Sequence, residues 1–478
     1  MVERMDRMNA PFAPDDAEAE RLRPERPPSE ARWTDAKGRP WNLVIPHTVY
    51  PPREDTDLLA GWLAKQGAGN GRSVFEVGVG SGAILLQMAA DGWDVNGCDV
   101  HPYAVAATRH ALSSHGYAGR IREADVGDLD ASLLAKADLV VWNTPYLQPV
   151  QDGQPHLGPL EEAGLSDPAA EGSGHMLLTR LDDVPVNATP RAALVVQERA
   201  VAGLRRDATR RGWACSTEAR LAFDDGEQLC LLSLARAWPR ATSSVVASTG
   251  STNADLMEGR GDAGDSLRAE QQTNGRGRRK ATWRSDHGDL TASWILFDGD
   301  GPLPPHGLLQ AACALATRDA LIDLGCEDSE HVLLKWPNDL LLDRGSPAKI
   351  GGWLIESRQQ GKNTRIVAGL GLNLTDGPSD VDGTPRAFVQ GTTAAALHAA
   401  LSARLCSRLA DLTSTDGRRS MAEEAVLAYR ASARRLGMTD TGGKDLAPTR
   451  MDEHGGLFVV GGQAPLDDLD AVRWRMWP

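Results

Sequence analysis

The sequence predicts an α/β chain in two units: a doubly wound sheet with crossover helices, then an α+β unit that ends in a small β-barrel. Three observations carry that expectation. At 478 residues the chain is longer than one hydrophobic core ordinarily holds, so at least two domains are expected. From about Val44 short apolar runs alternate with helix-like segments, the pattern of strands joined by crossovers. Glu76-Val77-Gly78-Val79-Gly80-Ser81-Gly82 closes the first of those runs with glycines, so main-chain N–H groups can approach a cofactor without a Cβ clash.

Residues 1–40 mix Pro, Arg, Asp and Glu with few apolar positions. Such a stretch cannot bury enough surface to offset ordering entropy, and a disordered tail is expected. The first domain is placed at 41–236. Its strands are Ser73–Val77, Asp94–Cys98, Leu139–Trp142, Ala192–Val196 and Leu229–Ala235, with helices at Ala83–Ala90 and Tyr103–Ser113. The stretch Arg236–Thr242 carries Trp, Pro and small polar residues without periodicity, which places a linker at 237–243. The second domain, 244–435, has strands at Ala269, Thr291–Phe297, Val332–Lys335, Ile350–Glu356 and Ile366–Gly369. Helical spacing covers Gly307–Leu324, Thr393–Leu412 and Met421–Arg435. Beyond Leu436 the chain is Gly-rich with short apolar runs such as Leu457–Val460, suiting a small barrel over 436–478. No internal repeat is visible.

Lys+Arg total 51 against 65 Asp+Glu, a formal net charge of -14. That balance argues against a nonspecific hold on a nucleic-acid backbone. The basic residues are mostly arginine, yet two of the eight lysines, Lys335 and Lys349, fall in the motifs described below. A compact ammonium cannot everywhere be replaced by a planar fork, so their retention is notable. The six cysteines are scattered, without zinc-site pairs or the density of a disulfide scaffold. No apolar run reaches the roughly 20 residues a membrane span needs, and a cytoplasmic location is expected.

In the first domain Asp99 ends the strand after the glycine turn, where a carboxylate can accept from ribose hydroxyls. Asp125, near the end of the next strand, could meet an adenine amino group. Taken singly, each acid is as readily a solvated loop residue, and a Gly-rich turn is a common feature in a chain with 49 glycines. Asn143-Thr144-Pro145-Tyr146 closes the fourth strand. Here the Asn143 side-chain carbonyl could hold a planar NH₂ group while Tyr146 packs on it. With Val49-Tyr50-Pro51-Pro52-Arg53-Glu54-Asp55-Thr56 upstream, residues 44–235 resemble the release-factor glutamine methyltransferases. This resemblance implies a Rossmann-like class I methyltransferase that binds S-adenosylmethionine through Glu76, Gly78, Gly80, Gly82, Asp99, Asp125 and Asn143. It also implies Asn143 and Tyr146 as catalytic residues and a peptide-release factor as partner. Thr144 departs from the family's Asn-Pro-Pro-Tyr motif. Its acceptor is a main-chain carbonyl that threonine also supplies, and Pro145 keeps residue 144 extended.

In the second domain Ser251-Thr252-Asn253 precedes a helix-like stretch, a position where such residues ordinarily serve as N-caps. Gln272 is followed by Gly275-Arg276-Gly277-Arg278-Arg279, whose glycines open the backbone and whose arginines offer forked donors to phosphate. Lys335-Trp336-Pro337-Asn338-Asp339, Lys349-Ile350-Gly351-Gly352 and Gly369-Leu370-Gly371-Leu372-Asn373 follow. Together these segments resemble the biotin protein ligases over residues 243–478, with Lys280 and Gly351 as departures. The resemblance implies a ligase catalytic domain with an SH3-like C-terminal barrel. It makes biotin the ligand of Ser251, Thr252, Asn253, Gln272, Arg276, Gly277, Arg278 and Lys349. ATP falls to Lys335, Asn338, Asp339 and Asn373, with Lys349, Arg276 and Arg278 catalytic. Mg²⁺ neutralises the remaining phosphate charge, although no residue set for a metal can be singled out, and a biotin carboxyl carrier domain is the partner.

Together the segments imply a bifunctional protein-modifying enzyme. One alternative swaps biotin for lipoate or another acid. Others direct the methyltransferase to a DNA adenine or small-molecule amine, or reduce it to a docking module.

Overall fold

The computed structural model describes residues 22, 26–145, 172–224, 226–277, 283–377, 380–381, 384–413, 415–466 and 472–476. They fall into two compact units: residues up to Ala208 with Thr217–Ala235, and Thr209–Ser216 with Arg236–Pro478.

The first unit opens with an antiparallel hairpin, β1 (Ser29–Thr34) and β2 (Pro40–Ile45), with Trp33 opposite Trp41. On alternate positions Trp41, Leu43 and Ile45 are buried, the period-2 pattern of a strand with one covered face. Asp35 organises the turn by accepting from the main-chain N–H groups of Lys37 and Arg39 and from the Trp41 indole at 2.9, 2.9 and 3.0 Å. The expected disordered tail is therefore corrected over 29–40, where paired tryptophans supply the buried surface that composition alone had seemed to deny. Residues 1–21 and 23–25 of that expected tail lie outside the described residues.

Helix α1 (Glu54–Leu63) leads into β3 (Ser73–Val77), α2 (Ala83–Ala90), β4 (Asp94–Asp99), α3 (Pro102–Ser114) and β5 (Gly119–Glu123). A short α4 (Ala131–Leu134), β6 (Leu139–Asn143), α5 (Ser173–Asp182), β7 (Arg191–Gln197), α6 (Glu198–Arg210), β8 (Trp213–Ala222) and β9 (Gln228–Arg236) follow. The sheet order is β5-β4-β3-β6-β7-β9-β8. Strands β3 to β7 run parallel and β9 is antiparallel to β7. Leu139 to Trp142 are buried throughout, as a parallel strand covered on both faces must be. Because the chain steps outward from β3 in one direction and from β6 in the other, the strand order reverses between them. Ligands of such sheets bind outside the C-terminal ends at that reversal, here Gly78 and Asn143.

The second unit holds β10 (Ser243–Thr249), α7 (Thr252–Glu258), β11 (Ser266–Gln272), β12 (Leu290–Gly299) and α8 (His306–Asp323). It continues with β13 (Val332–Lys335), β14 (Asp339–Asp343), β15 (Pro347–Gln360) and β16 (Asn363–Leu372). Its sheet runs β10-β11-β12-β16-β15-β14-β13, with only β10 and β11 parallel. Helices α8, α9 (Ala394–Asp411) and α10 (Thr415–Leu436) pack with the sheet in one core. Fully buried Trp294 and Trp353 anchor it, their indole N–H groups donating to Ser402 Oγ and Thr317 Oγ1, each at 2.9 Å. Those bonds remove the cost of an unpaired donor in a dry interior.

A two-residue pair, β17 (Asp380–Val381) and β18 (Thr384–Pro385), precedes α9. In the C-terminal segment β19 (Met438–Asp440) pairs with β22 (Val472–Trp474), and β20 (Pro448–Met451) with β21 (Leu457–Val459). Among the described residues this segment forms two two-stranded pairs, with single bridges Thr439–Asp445 and Leu457–Leu466. No described helix is long and apolar enough to cross a membrane.

Candidate functional site

In the second unit a cavity of about 460 Å³ opens over β11, β12, β15 and β16 and the β13–β14 turn. Its volume is in the range of small-molecule sites. Ser251, Thr252, Asn253, Gln272, Arg276, Gly277, Lys335, Asn338, Asp339 and Lys349 all line it. These residues span nearly a hundred positions of sequence, and the sheet brings them together.

One end is a neutral hydrogen-bond relay. Ser251 stands at the N-cap of α7 without a side-chain capping bond. Gln272 Oε1 accepts from the Thr252 main-chain N–H and hydroxyl at 2.9 and 3.2 Å. The Thr252 hydroxyl also meets Ser293 Oγ at 2.7 Å, and Ser293 donates to Asn253 Oδ1 at 2.6 Å. Asn253 Nδ2 in turn donates to Leu354 O at 3.1 Å and Glu356 Oε2 at 2.8 Å. A Cβ on Gly369 would stand 2.1 Å from Asn253 Oδ1, so the relay needs a glycine beneath it. Gly369→Ala is expected to destabilise the second unit by about 1–3 kcal/mol through overpacking, read as a lower thermal midpoint. An unchanged midpoint would mean that Asn253 moves aside freely.

The other end is cationic. Lys335 and Asp339 are opposed residues of the β13–β14 pair, and Lys335 Nζ lies 2.8 Å from Asp339 Oδ2. Lys349, arriving on β15, places Nζ 2.7 Å from Asp339 Oδ1. Burial pushes the Asp339 carboxyl up, but Lys349 and Lys335 outweigh it and hold the group below the usual carboxylate range. Arg276 reaches Glu356 at 3.6 Å. Arg276, Lys335, Lys349 and Arg473 line the cavity, and Asp339 is the one carboxylate among its described lining residues, a balance that favours a polyanion.

The base of the arginine loop is fixed on both sides. The Trp283 main-chain N–H donates to Gly275 O at 2.9 Å. The Trp283 ring lies where a Cβ on Gly371 would come within 2.2 Å of it. Arg278 itself lies outside the described residues.

Two of the expected residues also bond the main chain. Asn373 is buried and absent from the cavity lining; its Nδ2 donates to Lys349 O at 3.3 Å and Ala387 O at 2.9 Å. It steadies the backbone that carries Lys349. Asn338 lines the cavity, and its side chain also clamps the turn by donating to Trp353 O at 3.0 Å. Residues not foreseen are Ser293, Glu356, Arg473 and Trp474. A serine inside the apolar run of β12 and a glutamate ending that of β15 were readable signals; the last two carried none.

In the first unit the glycine turn takes positive φ at Gly78, Gly80 and Gly82, +67°, +50° and +83°, conformations costly for any side chain. Asp99 accepts from Gly80 N at 3.0 Å and His101 N at 2.8 Å. Burial, with Asp99 adding to it, pushes the Glu76 carboxyl well above its usual range. Glu76 Oε2 and Asn143 Oδ1 are buried with no hydrogen-bond partner among the described residues. Orphaned acceptors at a sheet reversal are what a ligand carrying N–H or O–H groups would satisfy, so these residues fit a nucleoside cofactor. Asp125 Oδ1 accepts from Gly127 N at 2.6 Å as the cap of the turn Val126–Asp128. The Thr144 N–H and hydroxyl both donate to Val195 O, at 3.2 and 2.7 Å, tying residue 144 to β7. Tyr146 lies outside the described residues.

Comparison with known proteins bears on both units. Residues 247–373 match the model of the Biotin/lipoate A/B protein ligase family. The biotin--[acetyl-CoA-carboxylase] ligase of Mycobacterium tuberculosis is 39% identical over 146 residues, covering 29% of this chain and 51% of that protein. The release factor glutamine methyltransferase of Rhodospirillum rubrum is 31% identical over 208 residues, 41% of this chain and 61% of that protein. The ribosomal RNA small subunit methyltransferase C of Alcanivorax borkumensis is 34% identical over 93 residues, 20% of this chain and 28% of that protein. The chain spans about half the length of the ligase it matches and three fifths of the glutamine methyltransferase.

Proposed function

The C-terminal half of this chain carries a biotin ligase domain fused to a methyltransferase-like N-terminal region, and from that premise we propose that it joins biotin to a lysine of a carboxyl carrier domain. The observation that supports this most is the convergence of Arg276, Lys335 and Lys349 on one cavity whose far end is the neutral relay of Thr252, Asn253 and Gln272. A ureido ring needs paired donors and acceptors, which that relay supplies, and a carboxylate meeting a polyphosphate needs fixed cations.

In the first step the biotin carboxylate attacks the α-phosphorus of ATP, the bond to the β-phosphate oxygen breaks, and pyrophosphate leaves. Lys349, from the cationic end of the cavity, is assigned to neutralise both anions, with Arg276 and Arg278 on phosphate oxygens. Lys335 and Asp339 hold the triphosphate end. Magnesium accompanies the phosphates rather than occupying an all-protein cage. In the second step the carrier lysine amine attacks the acyl carbon of biotinyl-5'-AMP, and AMP departs.

The chain with ATP, magnesium and biotin should release pyrophosphate and label a carrier domain. Release without biotin, or a preference for lipoate, would remove the assignment.

For the first unit we propose S-adenosylmethionine at the glycine turn, with Glu76 and Asp99 as acceptors. When bound, that group supplies an electrophilic methyl. Asn143 Oδ1 accepts one hydrogen of a planar NH₂ and turns the nitrogen lone pair toward it. Tyr146 packs on the planar group. The proposed target is the glutamine amide of a peptide-release factor; the match to the ribosomal RNA enzyme favours a ribosomal RNA as second reading. We place the protein in the cytoplasm and take residues 436–478 as a small SH3-like domain.

A further inference from the structure

We propose that Trp474 is a positioning residue that, together with Asp339, holds the Lys335 ammonium at the polyphosphate end of the cavity. The inference rests on the ligase reading above and concerns a residue of the last described strand. Val472, Arg473 and Trp474 of β22 line the cavity, more than a hundred residues from the motifs that supply its other walls. Lys335 Nζ lies 5.6 Å from the Trp474 ring centroid, within the reach of a cation–π attraction. The same nitrogen is 2.8 Å from Asp339.

The ring is itself well seated. Trp474 stands opposite Met438 in the β19–β22 pair and packs against Leu341 and Leu436. It therefore presents a fixed face to an ammonium carried on a flexible four-carbon stem. The arrangement also divides labour between the two lysines. Both share Asp339, so when arriving anions draw Lys349 away, Asp339 and the indole keep Lys335 in place. A cation already oriented loses little freedom when the phosphates bind.

In the full chain Trp474→Leu should raise KM for ATP about tenfold, with a smaller change in kcat and none in KM for biotin. Trp474→Phe keeps a ring face and should recover most of that loss. Combined with Lys335→Met, the leucine change should add little further, because both remove the same interaction. Equal behaviour of the Leu and Phe variants, a parallel rise in both KM values, or additive losses would overturn the proposal. If the wild-type chain releases no pyrophosphate, the ligase reading falls on its own. ATP calorimetry then decides the present point: a tenfold weaker Trp474→Leu upholds it, and equal affinities overturn it.

Discussion

Lys349→Ala is expected to lower biotin-dependent pyrophosphate release by at least about a hundredfold to a thousandfold, the scale for removing one preorganised charge from a developing anionic centre. The ammonium lines the cavity beside Asp339, and Asn373 and Ala387 hold its backbone through the Lys349 carbonyl. The fold should survive, because Asp339 keeps Lys335 at 2.8 Å and is not left as a buried charge without a partner. Lys349→Arg should restore little, since a planar fork cannot take the place of a compact point charge between two oxygens. Retention of most activity in the alanine variant, with an intact melting profile, would take the acyl-adenylate chemistry away from this cavity.

Asn143→Ala is expected to cut methyl transfer about a hundredfold or more, with a much smaller loss of S-adenosylmethionine binding. The loss follows from orientation: a target nitrogen whose NH₂ is no longer held rotates away from the line of attack. Stability supplies an independent reading. Asn143 Oδ1 is buried without a partner among the described residues, so deleting it removes an unsatisfied acceptor and should leave the melting temperature unchanged or raise it. A clear drop in melting temperature would show Asn143 to be structural instead. Full activity with unchanged binding would leave the orphaned oxygen without a role in positioning.

Most of the framework was legible because apolar runs and helix periods state it directly. Ser73–Val77, Ala83–Ala90 and Val332–Lys335 have in the structure the bounds their sequence implies. The β1–β2 hairpin was hidden because charge and proline averaged over forty residues outweigh four well-placed apolar side chains. Strand β14 was also unread, since Asp339–Asp343 follows a turn of only three residues and looks continuous with β13. Within the site, charged and glycine-bearing motifs announced themselves. Supporting bonds did not: nothing in the sequence tells that the Asn373 amide also holds the main chain of Lys349. Trp474 belongs to a pairing with Met438 that no local pattern can foretell.

The hairpin that opposes Lys335 to Asp339 also sets a rule for drift. Side chains of a strand alternate between faces, so adding or deleting one residue among Trp336, Pro337 and Asn338 would shift the pairing and swing the carboxylate to the other side of the sheet. Point changes in that tripeptide alter its chemistry locally, whereas a change of count would dissolve the shared counter-ion altogether. Relatives that keep this counter-ion can therefore spell the bend differently, but they must keep its length.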